Sequence, residues 1–222
     1  MSLQHIINLN NYMVFLLESK QSSWAVKNGV HAMELMDQLN EDQHLTLASQ
    51  SSLSVPCKQE DAHDIDHYMH YMEHSDLYDW DEPSDDYVYE RGVTLPSTVT
   101  DFKCIIAVLI FNLALSHQLS ASTRHQHDDL RQKLLHKAKR LYELALREQI
   151  VDHSTAFKFA AVNNVAVIYR MMGDDETSQK YLDYLVSLRM HVVSVGDCPQ
   201  LQQMNGFWRN VFGKGISIAP AA

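Results

Sequence analysis

The chain has 222 residues, 45% of them hydrophobic, with seven glycines and five prolines, which suits one globular domain of helical character. The net charge of −10 is concentrated: 14 acidic residues and one lysine lie between Glu41 and Glu90, leaving 14 acids and 17 bases elsewhere. A near-neutral body with one acidic insert lacks the basic surface that nucleic acid or an anionic membrane requires. Cys57, Cys104 and Cys198 are too few and too far apart for a disulfide framework or a metal pairing, so a reducing, intracellular and cytoplasmic setting is expected. The longest apolar run, Cys104 to Leu115 with one interruption at Asn112, falls short of the roughly 20 residues that span a bilayer. The N-terminus lacks a basic region ahead of an apolar core, so no secretory signal is expected.

In chain order, apolar spacing predicts helices near 4–18 and 22–39. Gly29 and Ala32 leave the second one a thin face that should pack against something bulky, and Trp24 is the nearest candidate. Residues 41–97 change character. Ser49, Ser51, Ser52, Ser54 and Pro56 mark a flexible stretch, then an acidic, histidine-rich run follows whose composition predicts disorder. Tyr87-Val88-Tyr89, bounded by Gly92 and Pro96, reads instead as a short extended piece packed on the helices.

Thr98-x-x-Asp101 reads as a variant capping box opening a helix at about 100–120, with a partner at about 128–148. Val162, Val165, Ala166 and Tyr169 share a face of the next helix, which should end at Gly173. Asp174 supplies the following N-cap, and Ser178, Leu182 and Leu185 recur on one face of the helix it opens. A last amphipathic helix at about 200–212 carries Met204, Phe207, Trp208 and Val211 as a cap.

Internal repetition links these elements. Leu9-Asn10-Asn11-x-x-Val14 lies over Val162-Asn163-Asn164-x-x-Val167, and Ile110, Leu113, Ala114 and His117 repeat the spacing of Val162, Val165, Ala166 and Tyr169. The partner helix has Ala138, Tyr142 and Ala145 where the last pair has Ser178, Leu182 and Leu185. This pattern resembles the tetratricopeptide repeat, without its opening Trp, its usual Gly or its closing Pro. Together with Phe111-Asn112-Leu113-Ala114, Tyr87-Val88-Tyr89 and the closing Ala219-Pro220-Ala221-Ala222, it is also similar to a set of eukaryotic proteins of this kind. That likeness implies a fold and no activity.

The fold class implied is all-α, a tetratricopeptide-like stack of antiparallel hairpins at about 4–39, 100–148 and 156–190 in one domain, interrupted by the acidic insert 41–97. The resemblance places Ile7, Asn10, Val14 and Leu17, then Val108, Phe111, Leu115 and Gln118, then Ala160, Asn163, Val167 and Arg170 on a groove. With Arg170 its single cation, that groove would not clamp a carboxylate. It would bind a partner protein or peptide, or be filled by the chain's own insert. Asn11, Asn112 and Asn164 sit beside the packed faces, where amides serve as ties between repeats.

Chemistry has less support. His70-Tyr-Met-Glu73-His74 matches the H-x-x-E-H arrangement of some zinc peptidases, and His63 and His67 extend its face. Such a site needs a third ligand, for instance Glu148, and the pattern is short. A metal-binding or metal-dependent hydrolase centred on 63–74 is therefore the alternative to a binding scaffold without cofactor or catalysis. A solvated acidic arm explains the same histidines more simply. Lys133, Lys137 and Arg140 form a basic stripe, read as solvent-facing, with docking of the acidic arm as the sharper reading.

Overall fold

Left-handed residues close two of the turns that set this architecture. The computed structural model describes residues 2–49, 88–123, 127–147, 155–195 and 210–211, without the side chains of 41–49, 155 and 191–195. Its six helices are α1 Leu3–Glu18, α2 Ser22–Ser49, α3 Phe102–Ala121, α4 Asp128–Arg147, α5 Thr155–Met171 and α6 Asp175–Val195, and no strand occurs among the described residues. Gly173 takes φ +82° after α5; its N–H reaches Arg170 O at 2.9 Å and the Asp174 N–H reaches Tyr169 O at 2.9 Å. These two bonds satisfy carbonyls that a helix end leaves unpaired. Asp174 Oδ1 then accepts the Thr177 N–H at 3.0 Å and opens α6. The α1–α2 turn has the same hydrogen-bond pattern, with Lys20 at φ +56° in the glycine position.

Consecutive helices pack on one another, and α3 additionally touches α1. Each hairpin buries its small residues: Ala25 and Ala32, Ala138 and Ala145, Ala166 and Ser178. One core runs through all six helices, with Tyr142, Phe111, Phe157, Phe159, Ile6 and Met13 among its largest fully buried side chains. α3 is long and apolar enough to cross a bilayer by length and composition, and nearly all of it is buried within the protein.

Three sequence expectations change. The bulky neighbours of Gly29 are Met13 and Leu113, whose Sδ and Cδ1 would lie 2.7 and 2.9 Å from an added Cβ. Trp24 instead lies 58% exposed with the Lys27 ammonium 4.3 Å from its ring centroid. α2 continues to Ser49, ten residues past the expected end, because Asn40 and the polar residues after it contain no Gly or Pro to stop it. The cap of α3 is Asp101 and not Thr98: Asp101 Oδ1 accepts from Lys103 N at 3.0 Å and Cys104 N at 3.4 Å, while Thr98 stays exposed. The piece expected between Tyr87 and Pro96 packs on the helices as far as Leu95, with Val93 and Leu95 each 1% exposed.

Of the capping helix only residues 210–211 are described, both helical; Met204, Phe207 and Trp208 lie outside the described residues, as do 50–87 of the acidic insert.

Because no atom lies within 4 Å of a Cβ added at Gly173, replacing it tests backbone conformation alone. Gly173→Ala should lower stability by about 1 kcal/mol and Gly173→Asn by less, measured by urea denaturation, since asparagine tolerates the left-handed region best after glycine.

Candidate functional site

An asparagine side chain ends in a primary amide, which can pair with one peptide unit's N–H and C=O together. Three asparagines, one on each of α1, α3 and α5, do this to a single strap of chain, residues 88–96. Asn164 Oδ1 accepts the Tyr89 N–H at 2.8 Å and its Nδ2 donates to Tyr89 O at 2.9 Å. Asn112 Oδ1 accepts the Val93 N–H at 2.8 Å and Nδ2 donates to Val93 O at 2.7 Å. Asn11 Oδ1 accepts the Leu95 N–H at 2.8 Å and Nδ2 donates to Leu95 O at 2.7 Å. In an extended chain the N–H and C=O of one residue point to the same edge, so residues 89, 93 and 95 present one edge to the helices.

The strap runs from α5 across α3 to α1. Helix axes pack about 8–10 Å apart, and six extended residues reach about 20 Å, so Tyr89 to Leu95 suffices for two spacings only if fully drawn out.

A second tier of amides holds the first. Asn10 Nδ2 donates to Val93 O at 3.0 Å and Asn11 Oδ1 at 3.2 Å, while Asn112 Nδ2 also reaches Asn10 Oδ1 at 2.9 Å. Asn164 Nδ2 donates to the Tyr142 hydroxyl at 2.9 Å, and that hydroxyl donates to Gln118 Oε1 at 3.1 Å. Asn210 Nδ2 donates to Asn163 Oδ1 at 2.7 Å, and Asn163 Nδ2 to Asn164 Oδ1 at 3.2 Å. Asn210 thus completes the α5 end of the row.

Side chains of the strap fill the space between amides. Tyr89 meets the Phe111 ring edge-on at 6.3 Å, and Phe111 packs in turn on Phe157 at 4.9 Å and Tyr142 at 5.4 Å between centroids. A Cβ at Gly92 would lie 2.8 Å from Val14 Cγ2 and 3.3 Å from Asn112 Oδ1, so only glycine allows this closeness.

Ile7, Asn10, Val14, Leu17, Val108, Phe111, Leu115, Gln118, Ala160, Asn163 and Val167 are all buried, at 5% exposure or less, and Arg170 is half-buried. Of the positions expected to line a groove, Asn10, Val14 and Phe111 touch the strap. Asn11, Asn112 and Asn164, expected as ties between repeats, hold strap backbone; Asn112 and Asn164 also reach across to α1 and α4. The strap contacts at Gly92, Val93 and Leu95 were not foreseen. Their signal was alternation: Tyr89, Val93 and Leu95 share odd-numbered positions of one extended run.

Charges near the strap are few. Burial raises the Glu90 carboxyl to about 7, against the lowering effect of the Lys20 ammonium. On α3, burial, helped by Lys137, lowers His117 to about 4. The Cys104 thiol is pushed up to about 12 by burial and by Asp101, which leaves it a packing residue rather than a nucleophile. Lys133, Lys137 and Arg140 are exposed. Among the described residues no group of three or more His, Cys, Asp or Glu could hold a metal. His63, His67, His70, Glu73, His74 and Glu148 lie outside the described residues, as does most of the acidic arm.

Removing Asn112 strands the Val93 N–H and Asn10 Oδ1 in the interior, while Val93 O keeps its bond from Asn10 Nδ2, and each unsatisfied buried group costs about 1–3 kcal/mol. Asn112→Ala should therefore destabilise the chain by about 2–4 kcal/mol in denaturant titration and speed amide exchange at Val93 more than at the α6 amides. Glu90 binds its proton more tightly folded than unfolded, so its contribution is complete below about 4.5 and is lost as pH rises through about 7. Comparing Glu90→Gln with the parent isolates it from His117, whose depressed value has the opposite slope between 6.5 and 4. The substituted chain should gain relative stability from pH 5 to pH 8; an unchanged difference would count against the assignment.

No protein-family model matches this chain, and neither a curated protein nor a solved structure shows significant similarity to it.

Proposed function

We propose that this chain is a tetratricopeptide-like protein–protein interaction scaffold. It grips an extended peptide by its backbone, and its own residues 88–95 keep the grip closed until a partner segment takes their place. The observation that carries the reading is the row Asn11, Asn112 and Asn164, each pairing with both backbone groups of one strap residue. Backbone hydrogen bonds confer affinity with little regard to sequence, and pockets for alternate side chains add selectivity. The acidic insert acts as the regulatory element, since the strap is its C-terminal end. The reading is of a binding protein, not an enzyme, working in a reducing intracellular compartment.

Magnitudes support exchange. Ordering the seven residues 89–95 opposes docking by about 7–14 kcal/mol at 1–2 per residue. Six backbone hydrogen bonds contribute about 6 kcal/mol. Burial of Tyr89, Val93 and Leu95 adds about 5–9 kcal/mol. The two sides nearly cancel. A strap so balanced is retained by its tether, which keeps it at roughly millimolar local concentration, and a good competitor can displace it.

Gly92→Leu drives a side chain into Val14 and Asn112 and should lift the strap without altering the asparagines. Random twelve-residue peptides displayed against the full-length Gly92→Leu chain should enrich clear binders. Adding Asn112→Ala to the same chain should remove the enrichment. A folded Gly92→Leu chain that enriches nothing sinks the proposal.

A further inference from the structure

Residues 89–95 record what the grip accepts. Going from α5 to α1, the first pocket takes an aromatic ring, because Phe111 offers its ring to Tyr89 within a cluster completed by Phe157 and Tyr142. Three residues on, the backbone lies so close to Val14 and Asn112 that a Cβ has no room. The fifth and seventh positions are closed apolar sites, with Val93 and Leu95 each 1% exposed. Between them, Glu90, Arg91 and Thr94 stay half-buried.

Resting on the scaffold reading above, we infer that the partner is a segment of another protein with the pattern aromatic-x-x-Gly-aliphatic-x-Leu. It binds extended with its N-terminal end over α5 and its C-terminal end over α1. The argument is mimicry within one chain: the occupant already seated shows the direction, register and side-chain sizes the site is built for. The asparagines fix the register, since their bidentate pairs fall at the first, fifth and seventh residues of the pattern. A one-residue slip would turn the paired edge away from the helices and place a side chain at the glycine position. Recognition therefore combines a sequence-tolerant backbone row with one strict exclusion, the side chain at glycine, and three apolar preferences.

The test uses the full-length Gly92→Leu chain and a fluorescent peptide of residues 86–97, followed by anisotropy. The parent peptide should bind saturably, at least tenfold tighter than the same peptide carrying Gly92→Leu or Tyr89→Ala. Equal binding of all three overturns the inferred pattern while leaving a backbone grip standing. An opened chain that selects library peptides but ignores this one overturns the pattern alone; an opened chain that binds no peptide sinks both readings. A stable one-to-one complex of the Gly92→Leu chain with the parent chain, resistant to excess peptide, would assign the groove to a second copy and overturn the inference. Should Gly92→Leu fail to fold, as judged by circular dichroism, the parent chain serves. Excess peptide should then accelerate amide exchange at Val93 and Leu95, and the peptide bearing Gly92→Leu should not; no difference between the two refutes the pattern.

Discussion

A buried peptide group must find partners for its N–H and its C=O, and in this protein side-chain amides meet that demand. Among the described residues the strap has no neighbouring strand, and helices have already used their own backbone groups, so neither ordinary source of partners is open to it there. Asparagine resolves the problem because its side chain presents one acceptor and two donors at the separation of a peptide unit. The spare donors of Asn112 and Asn164 reach adjacent groups, Asn10 and Tyr142, and Asn11 accepts from Asn10 Nδ2, which fixes the plane of each amide. Second-tier bonds of this kind make the row rigid and leave little conformational freedom to lose on docking.

The helices are shaped around that row. α3 has almost no polar face because it is enclosed by α1, α2 and α4 and by the strap, and a helix apolar all round has to be covered on every side. Closeness is secured by glycines at two points: Gly29 brings α2 onto Met13 and Leu113, and Gly92 brings the strap onto Val14. Both sites exclude a side chain for steric reasons, whereas Gly173 is selected for its backbone angle alone. Most polar groups inside this core bond one another, with Tyr142 bridging Gln118 and Asn164, whereas His117 Nδ1, Gln118 Nε2, Ser120 Oγ and Ser178 Oγ are buried without a hydrogen-bond partner among the described residues. The same burial that makes these bonds strong raises the pKa of Glu90 and lowers that of His117, so the strap end and the α3 end of the molecule respond to pH in opposite directions.

Much of the secondary structure was legible in the chain because it rests on local rules. Apolar residues at three- and four-residue spacing set the helices, Gly173 and Asp174 set the tightest turn, and Ala or Ser at crossing positions set which faces meet. Errors fell where local rules were silent or had two solutions. Trp24 was a plausible neighbour for Gly29 by proximity in sequence, but α2 turns that face toward α1 and α3, and the indole is left in solvent beside Lys27. Thr98 and Asp101 both can cap a helix, and the turn at Pro96 to Val99 gives the role to Asp101.

Composition, periodicity and the recurring Asn-Asn pairs determined an all-helical chain with amides placed beside each packed face, because hydrophobic spacing and capping act within a few residues. What those amides hold was decided by tertiary structure alone. Asn11 is 84 residues from Leu95, and Asn164 is 75 residues from Tyr89. No periodicity reaches that far; only the packing of α1, α3 and α5 brings three amides into line at the spacing of an extended backbone.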